Sequence, residues 1–310
     1  MRRPHHARVT TPSEQGAPPR WLPAAPAVFL VLWSGGFAVA KVGVGDAAPM
    51  TFLALRYGLV VALLLPLVPI LRPAFPTTRR AWLDLVIVGL LIQALYFGLS
   101  YVSLDAGISA GALALIVSLQ PVLVGLLVPH LAGEHVGRVR WAGLLLGLAG
   151  AGLVIAGRSS VEATSVIAIA CAAGALAAMT SGTLYEKRFG IEHHPVTANL
   201  VQCAVGLAAT LPIALLHEGF RASWSPGLAG ALAYLVVGNS IISLTLLLAM
   251  IRHGEASRVS ALFFLVPPVA AAIAWALLGE RMPPVAWLGM AIAAVGVLIA
   301  TRSRRERWAE

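Results

Sequence analysis

Two amides, one arginine and a pair of proline breaks are the groups in this chain most able to do chemistry. Gln93 and Asn239 stand 146 residues apart, each near the centre of a long apolar run. A side-chain amide both donates and accepts hydrogen bonds, and hydrocarbon makes a polar group at that depth costly. The two amides therefore either line a path for a polar solute or hold helices together. On an α-helix Tyr96 follows Gln93 by one turn and Ser243 follows Asn239 likewise, so each pair shares a face. Arg56 falls about five residues inside its run, roughly 7–8 Å along a helix axis. It either snorkels to the interface or faces a cavity near Lys41 and binds a carboxylate or phosphate by charge-assisted hydrogen bonds.

The stretch "SLQPV", Ser118 to Val122, offers a second kind of site. Pro121 in mid-span removes one backbone hydrogen bond and frees a carbonyl one turn earlier. Ser118 and Gln120 beside it could help coordinate a polar ligand. Pro267 and Pro268 repeat the break without those neighbours, and all three prolines read as a hinge or gate on one side and a plain kink on the other. Trp33, next to Gly35 and Gly36, lies too deep for the interfacial aromatic belt and suits a cavity wall or core packing. Asp and Glu keep to span ends and loops, which argues against proton antiport through a buried carboxylate. No HExxH, GxSxG or paired mid-span carboxylate occurs, and "EHH" at 192–194 makes a poor pre-formed site, so no catalytic residue, metal or cofactor is assigned. Cys171 and Cys203 read as small packing residues.

The elements that position these groups are membrane helices. Hydrophobic residues make up 59% of the chain, charged residues 11%, and mean hydropathy is +0.86; a soluble domain carries about 25% charged residues. Apolar runs near the length needed to cross a bilayer predict an all-α polytopic protein with ten spans. These lie near 26–44, 51–71, 81–103, 107–128, 139–157, 163–185, 196–216, 226–250, 256–278 and 284–301. Residues 1–22 read as a disordered cytoplasmic tail and 302–310 as a basic one. The tails and the loops on their side hold 17 of the 22 Lys and Arg residues, so both termini are expected in the cytoplasm. The +9 net charge forms no basic stripe interleaved with aromatics, which excludes nucleic acid as a partner. The expected partners are the lipid bilayer and a small-molecule substrate. Gly143–Gly147 and Gly107–Gly111 fit GxxxG, read as close helix packing with a homodimer face as the sharper alternative.

The chain repeats itself at a constant offset of 146 residues. Gly36 meets Gly182, Lys41 meets Lys187, Pro49 meets Pro195, Thr51 meets Thr197, Pro121 meets Pro267, Glu134 meets Glu280, Trp141 meets Trp287 and Gly150 meets Gly296. Each copy holds five spans, an odd number, so the second enters the membrane from the opposite side. Two inverted five-helix halves, 26–157 and 163–301, suit alternating access by a secondary transporter.

"LWSGGFAVAK", "LALRY", "SLQPV", "LAGEHV" and "WAGLLLGLAGAGLVI", with their second copies, resemble the EamA-type branch of the drug/metabolite transporter superfamily over about residues 26–301. The resemblance implies a central cavity lined by spans 1, 3, 4, 6, 8 and 9. It also implies inner-membrane export or exchange of small metabolites, often amino acids or related compounds. The positions it carries over are Trp33, Lys41, Arg56, Pro121, Glu134, Pro267 and Glu280. The second copy departs from the pattern, with Met179 opposite Trp33 and Gln202 opposite Arg56. The competing readings are an intramembrane lipid-linked enzyme and a passive channel.

Overall fold

The computed structural model describes residues 22–120, 165–189, 193–243, 265–279 and 283–302, with isolated positions between 123 and 153 and at 245, 246 and 250. Among these residues the structure is helical, without strands, and one isolated bridge joins Ala47 to Ala222. In chain order the helices are α1 (Ala25–Asp46), α2 (Pro49–Leu71), α3 (Arg79–Asp105), α4 (Ala110–Val117), α5 (Val166–Phe189), α6 (Pro195–Leu216), α7 (Pro226–Ser243), α8 (Val266–Leu278) and α9 (Pro284–Arg302). Six of them, α1, α2, α3, α5, α6 and α7, contain segments long and apolar enough to cross a bilayer. Pro121, Glu134 and Glu280 lie outside the described residues.

The sequence starts these helices by two devices. Proline occupies the first turn of α1, α2, α6, α7 and α8, where a missing N–H costs nothing. Thr78, Ser109 and Ser225 cap α3, α4 and α7 by accepting from the backbone N–H groups of Ala81, Ala112 and Leu228, which satisfies donors that the helix itself cannot. Pro267 and Pro268 lie in the first turn of the described helix α8, and residues 251–264 before it lie outside the described residues. One expectation is corrected. Gly107 sits in the α3–α4 turn at φ +102°, so Gly107–Gly111 is not a helical face.

The packing follows the 146-residue spacing. Helix α2 lies against its repeat mate α6, and α4 against its mate α8; α1 packs on α7 as α5 packs on α3. The closest approach is made by small residues. A Cβ at Gly150 would strike the backbone of Gly289 and Ala293, and one at Gly296 would strike the backbone of Gly143 and Gly147. Those contacts are reciprocal, since each partner is the other's repeat mate. The Gly143–Gly147 face thus packs closely on Gly296 of the second copy, as close helix packing expects.

Two stretches depart from α-helical winding. Leu90–Tyr96 in α3 and Tyr234–Ser243 in α7 are π-helical, and they overlap when shifted by the repeat. A π-turn widens the helix and frees main-chain carbonyls, which need other donors in an apolar medium. The Tyr57 hydroxyl of α2 donates to Gln93 O at 2.7 Å, and Asn199 Nδ2 of α6 donates to Ser240 O at 3.1 Å. Ser240 Oγ and Ser243 Oγ each donate to a carbonyl five residues back, Leu235 O and Gly238 O, both at 3.0 Å.

Candidate functional site

A small, partly open cavity lies among α1, α2, α3, α4 and α7. The glycines of "LWSGG" explain how α1 reaches the others. A Cβ at Gly35 would strike the Tyr234 hydroxyl, and one at Gly36 would strike Asn239 Nδ2. Their absence lets the π-helical part of α7 seat its polar side chains on α1. Tyr234 Oη then donates to Leu32 O at 3.1 Å, and Asn239 stands at the cavity wall.

Arg56 is the charged group of this cavity. It is 4% exposed, so it faces inward and does not snorkel to the interface. Its Nη1 donates to Tyr101 Oη at 2.9 Å and its Nη2 to Ser240 Oγ at 3.2 Å. The guanidinium carbon lies 4.6 Å from the centre of the Phe97 ring, within cation–π range. Phe52 stacks on Tyr101 at 5.4 Å, and Phe97 meets Tyr101 edge-on at 6.3 Å, which fixes the phenol that holds the arginine. Arg56 Nε and Ser100 Oγ are both buried with no hydrogen-bond partner. No Asp or Glu is among the described lining residues.

Trp33, Arg56, Tyr96 and Asn239 are thus the sequence-predicted residues that the fold brings to one cavity. The rest take other places. Gln93 packs its Cβ toward Gly206 of α6. Ser243 Oγ is fully buried on Gly238 O. Ser118 Oγ donates to Leu115 O at 2.7 Å, and Gln120 Nε2 donates to Thr183 Oγ1 of α5 at 2.9 Å, joining α5 to the chain just beyond α4. Tyr96 and Asn239 line the cavity whereas Gln93 and Ser243 are not among its lining residues; both pairs lie in the π-helical stretches, whose wider pitch changes which residues stack one turn apart. Lys41 donates to Ile108 O at 2.9 Å. The described lining draws on α2 for Arg56, while α5 and α8, which fall in the expected sixth and ninth spans, supply none of it.

Sequence reasoning missed Ser100, Tyr101, Phe97 and Ser240. The first three recur along α3 below the π-turn and face the cavity as a strip. "YFGLSY", residues 96–101, carries their only signal, aromatic residues beside a serine in one short run.

The profile of the EamA-like transporter family matches residues 24–156 and again residues 166–302. The chain belongs to this family. "Uncharacterized transporter YvbV" of Bacillus subtilis is 25% identical over 283 residues, covering 91% of this chain and 92% of the relative. "Uncharacterized inner membrane transporter YedA" of Escherichia coli K12 is 25% identical, covering 90% and 91%. A third relative, "Probable amino-acid metabolite efflux pump" of the same strain, is 25% identical over 88% and 92%. This EamA-like protein is a membrane transporter of the drug/metabolite type.

Proposed function

We propose that this protein is a secondary transporter that exports or exchanges small polar metabolites, amino acids or related compounds, across the inner membrane by alternating access. Ten spans form two five-helix repeats of inverted topology, with both termini in the cytoplasm. The observation that carries the reading is the position of the cavity. Helices α1 to α4 of the first copy supply most of its wall, and Leu235 and Asn239 of the second copy supply the rest. A cavity on the seam between two inverted halves changes the side to which it opens when the halves exchange conformations. The reciprocal glycine contacts at Gly150 and Gly296 support that symmetry. The preponderance of Lys and Arg in the tails and their loops supports the orientation. A relative named as an amino-acid metabolite efflux pump supports the substrate range.

The test is comparative export. Cells overproducing the wild type and cells overproducing Asn239→Leu, matched for membrane level, are compared by quantifying small metabolites in the medium. The expected result is a compound enriched by the wild type and not by the variant. Equal media from wild type and empty vector would count against export. Counterflow in proteoliposomes separates a carrier from a passive channel, because only the carrier exchanges labelled for unlabelled solute with saturation.

A further inference from the structure

We infer that the Arg56 cavity takes a net-anionic organic molecule, a carboxylate on an apolar or aromatic body, in preference to a zwitterion such as a free amino acid. Within the class proposed above the inference favours the related carboxylates over the amino acids themselves, and it rests on that reading for the identity of the site. Arg56 carries a permanent charge and is 4% exposed. The partners of its Nη atoms are the neutral hydroxyls of Tyr101 and Ser240. These hold the guanidinium in place without neutralising it, and a buried charge without a counter-charge is costly. Its Nε points at no acceptor, and Ser100 Oγ, 3% exposed, likewise has no partner. Both residues line the same cavity, and their two unpartnered donors match in number the two oxygens of one carboxylate. A carboxylate accepts in that manner and also supplies the missing charge.

The rest of the lining tells against an ammonium group. Trp33, Phe37, Phe97 and Leu235 are apolar walls, and the described lining offers no carboxylate to receive a cation. Aromatic faces attract cations, but here they share the space with a guanidinium. Two cations about 6 Å apart at the effective dielectric of such sites repel by on the order of 100-fold in affinity. A free amino acid bound by its carboxylate at Arg56 places its ammonium within that range. A carboxylic acid of the same shape without the amine avoids the cost.

Three probes with one aromatic body isolate the charge: 3-phenylpropionate, phenylalanine and phenethylamine. Binding of each to the purified full-length protein in detergent is measured by calorimetry and by the shift in melting temperature. The expected order is 3-phenylpropionate at least 10-fold tighter than phenylalanine, with no binding of phenethylamine. Arg56→Gln should abolish binding of the carboxylate. Arg56→Lys should weaken it but keep the order. Ser100→Ala leaves the charge in place and should weaken binding about 5- to 10-fold, which keeps the inference testable if the Arg56 variants do not fold. Phenylalanine binding as tightly as 3-phenylpropionate, or no binding of any probe, would overturn the inference. Equilibrium binding does not depend on transport, so export that persists without carboxylate binding sinks the ligand class alone. Carboxylate binding without counterflow sinks the transport reading alone.

Discussion

The two copies of the repeat share a backbone plan and divide the chemistry unequally. Each puts a π-turn into its third span, Leu90–Tyr96 in one and Tyr234–Ser243 in the other, and each satisfies a carbonyl there with a side chain from the preceding span. The first copy then places Arg56 in the cavity, whereas the second has Gln202, whose Cα packs against Gly89. The aromatic wall of α3 has no match in α7 beyond Asn239 and Leu235. Symmetry thus resides in close packing and main-chain hydrogen bonding, which any solute tolerates. Asymmetry resides in the charge and ring surface of the cavity wall.

The largest expected effect attacks the symmetric part. Gly150 and Gly296 touch backbone, not the movable end of a side chain, so Gly150→Ala or Gly296→Ala forces helices apart. Each should cost about 3 kcal/mol, the upper range for overpacking, and lower the yield of folded protein by fluorescence-detected size exclusion. Near-equal losses sharpen the comparison. A loss at one glycine with none at the other would break it, because reciprocal contacts must fail together.

The sequence made the helical class and the repeat legible because both rest on composition and spacing. Apolar runs of bilayer length leave only helices as a solution, and proline or serine starts mark several ends. The cavity was legible in part. Trp33, Arg56, Tyr96 and Asn239 were readable as polar or aromatic residues at unusual depth. Gln93 and Ser243 met the same criterion and packed elsewhere, because depth says nothing about direction and α-helical spacing assumes 3.6 residues per turn. The π-turns broke that assumption in both copies. Nothing in the composition of "LLIQALY" or "YLVVGNSIIS" announces extra winding, and the donors that sustain it, Tyr57 and Asn199, lie far away in sequence. The burial of Arg56 depended likewise on Tyr101 and Ser240 meeting it across 45 and 184 residues.

Those donors give the next test. Tyr57→Phe removes only the hydroxyl that satisfies Gln93 O, and Asn199→Leu removes the amide that satisfies Ser240 O. An unsatisfied buried carbonyl costs about 1–3 kcal/mol, so each variant should melt at lower temperature by a similar amount. The two should differ in function. Loss at Ser240 disturbs a partner of Arg56 and should weaken solute binding more than Tyr57→Phe does, with both measured on the same folded fraction. Equal effects on binding would mean that the π-turns serve both halves alike.

The smallest expected effect lies at the helix starts of the second span in each copy. Thr51 and Thr197 are repeat mates, yet their partners differ. Glu218, from the α6–α7 connection, accepts from Met50 N at 3.0 Å, Thr51 N at 2.7 Å and Thr51 Oγ1 at 2.8 Å. Thr197 Oγ1 donates to Ala74 O at 2.9 Å, and the α6 start is capped locally by His194. A carboxylate at a helix N-terminus gains from the aligned peptide dipoles as well as from its hydrogen bonds. Glu218→Gln keeps one acceptor oxygen and turns the other into a donor facing N–H groups, so α2 should lose about 1 kcal/mol. The same loop pairs Ser225 Oγ with Asp46 Oδ2 at 2.6 Å and joins Ala47 to Ala222, so the loss should appear as faster amide exchange at residues 46–52 and 218–225. Thr197→Val removes a single hydrogen bond of a buried residue while keeping its volume, and should change exchange at the α6 start by less. If both variants leave exchange unchanged, the contact across the two copies at Glu218 is decoration, and α2 is held by its packing on α6 alone.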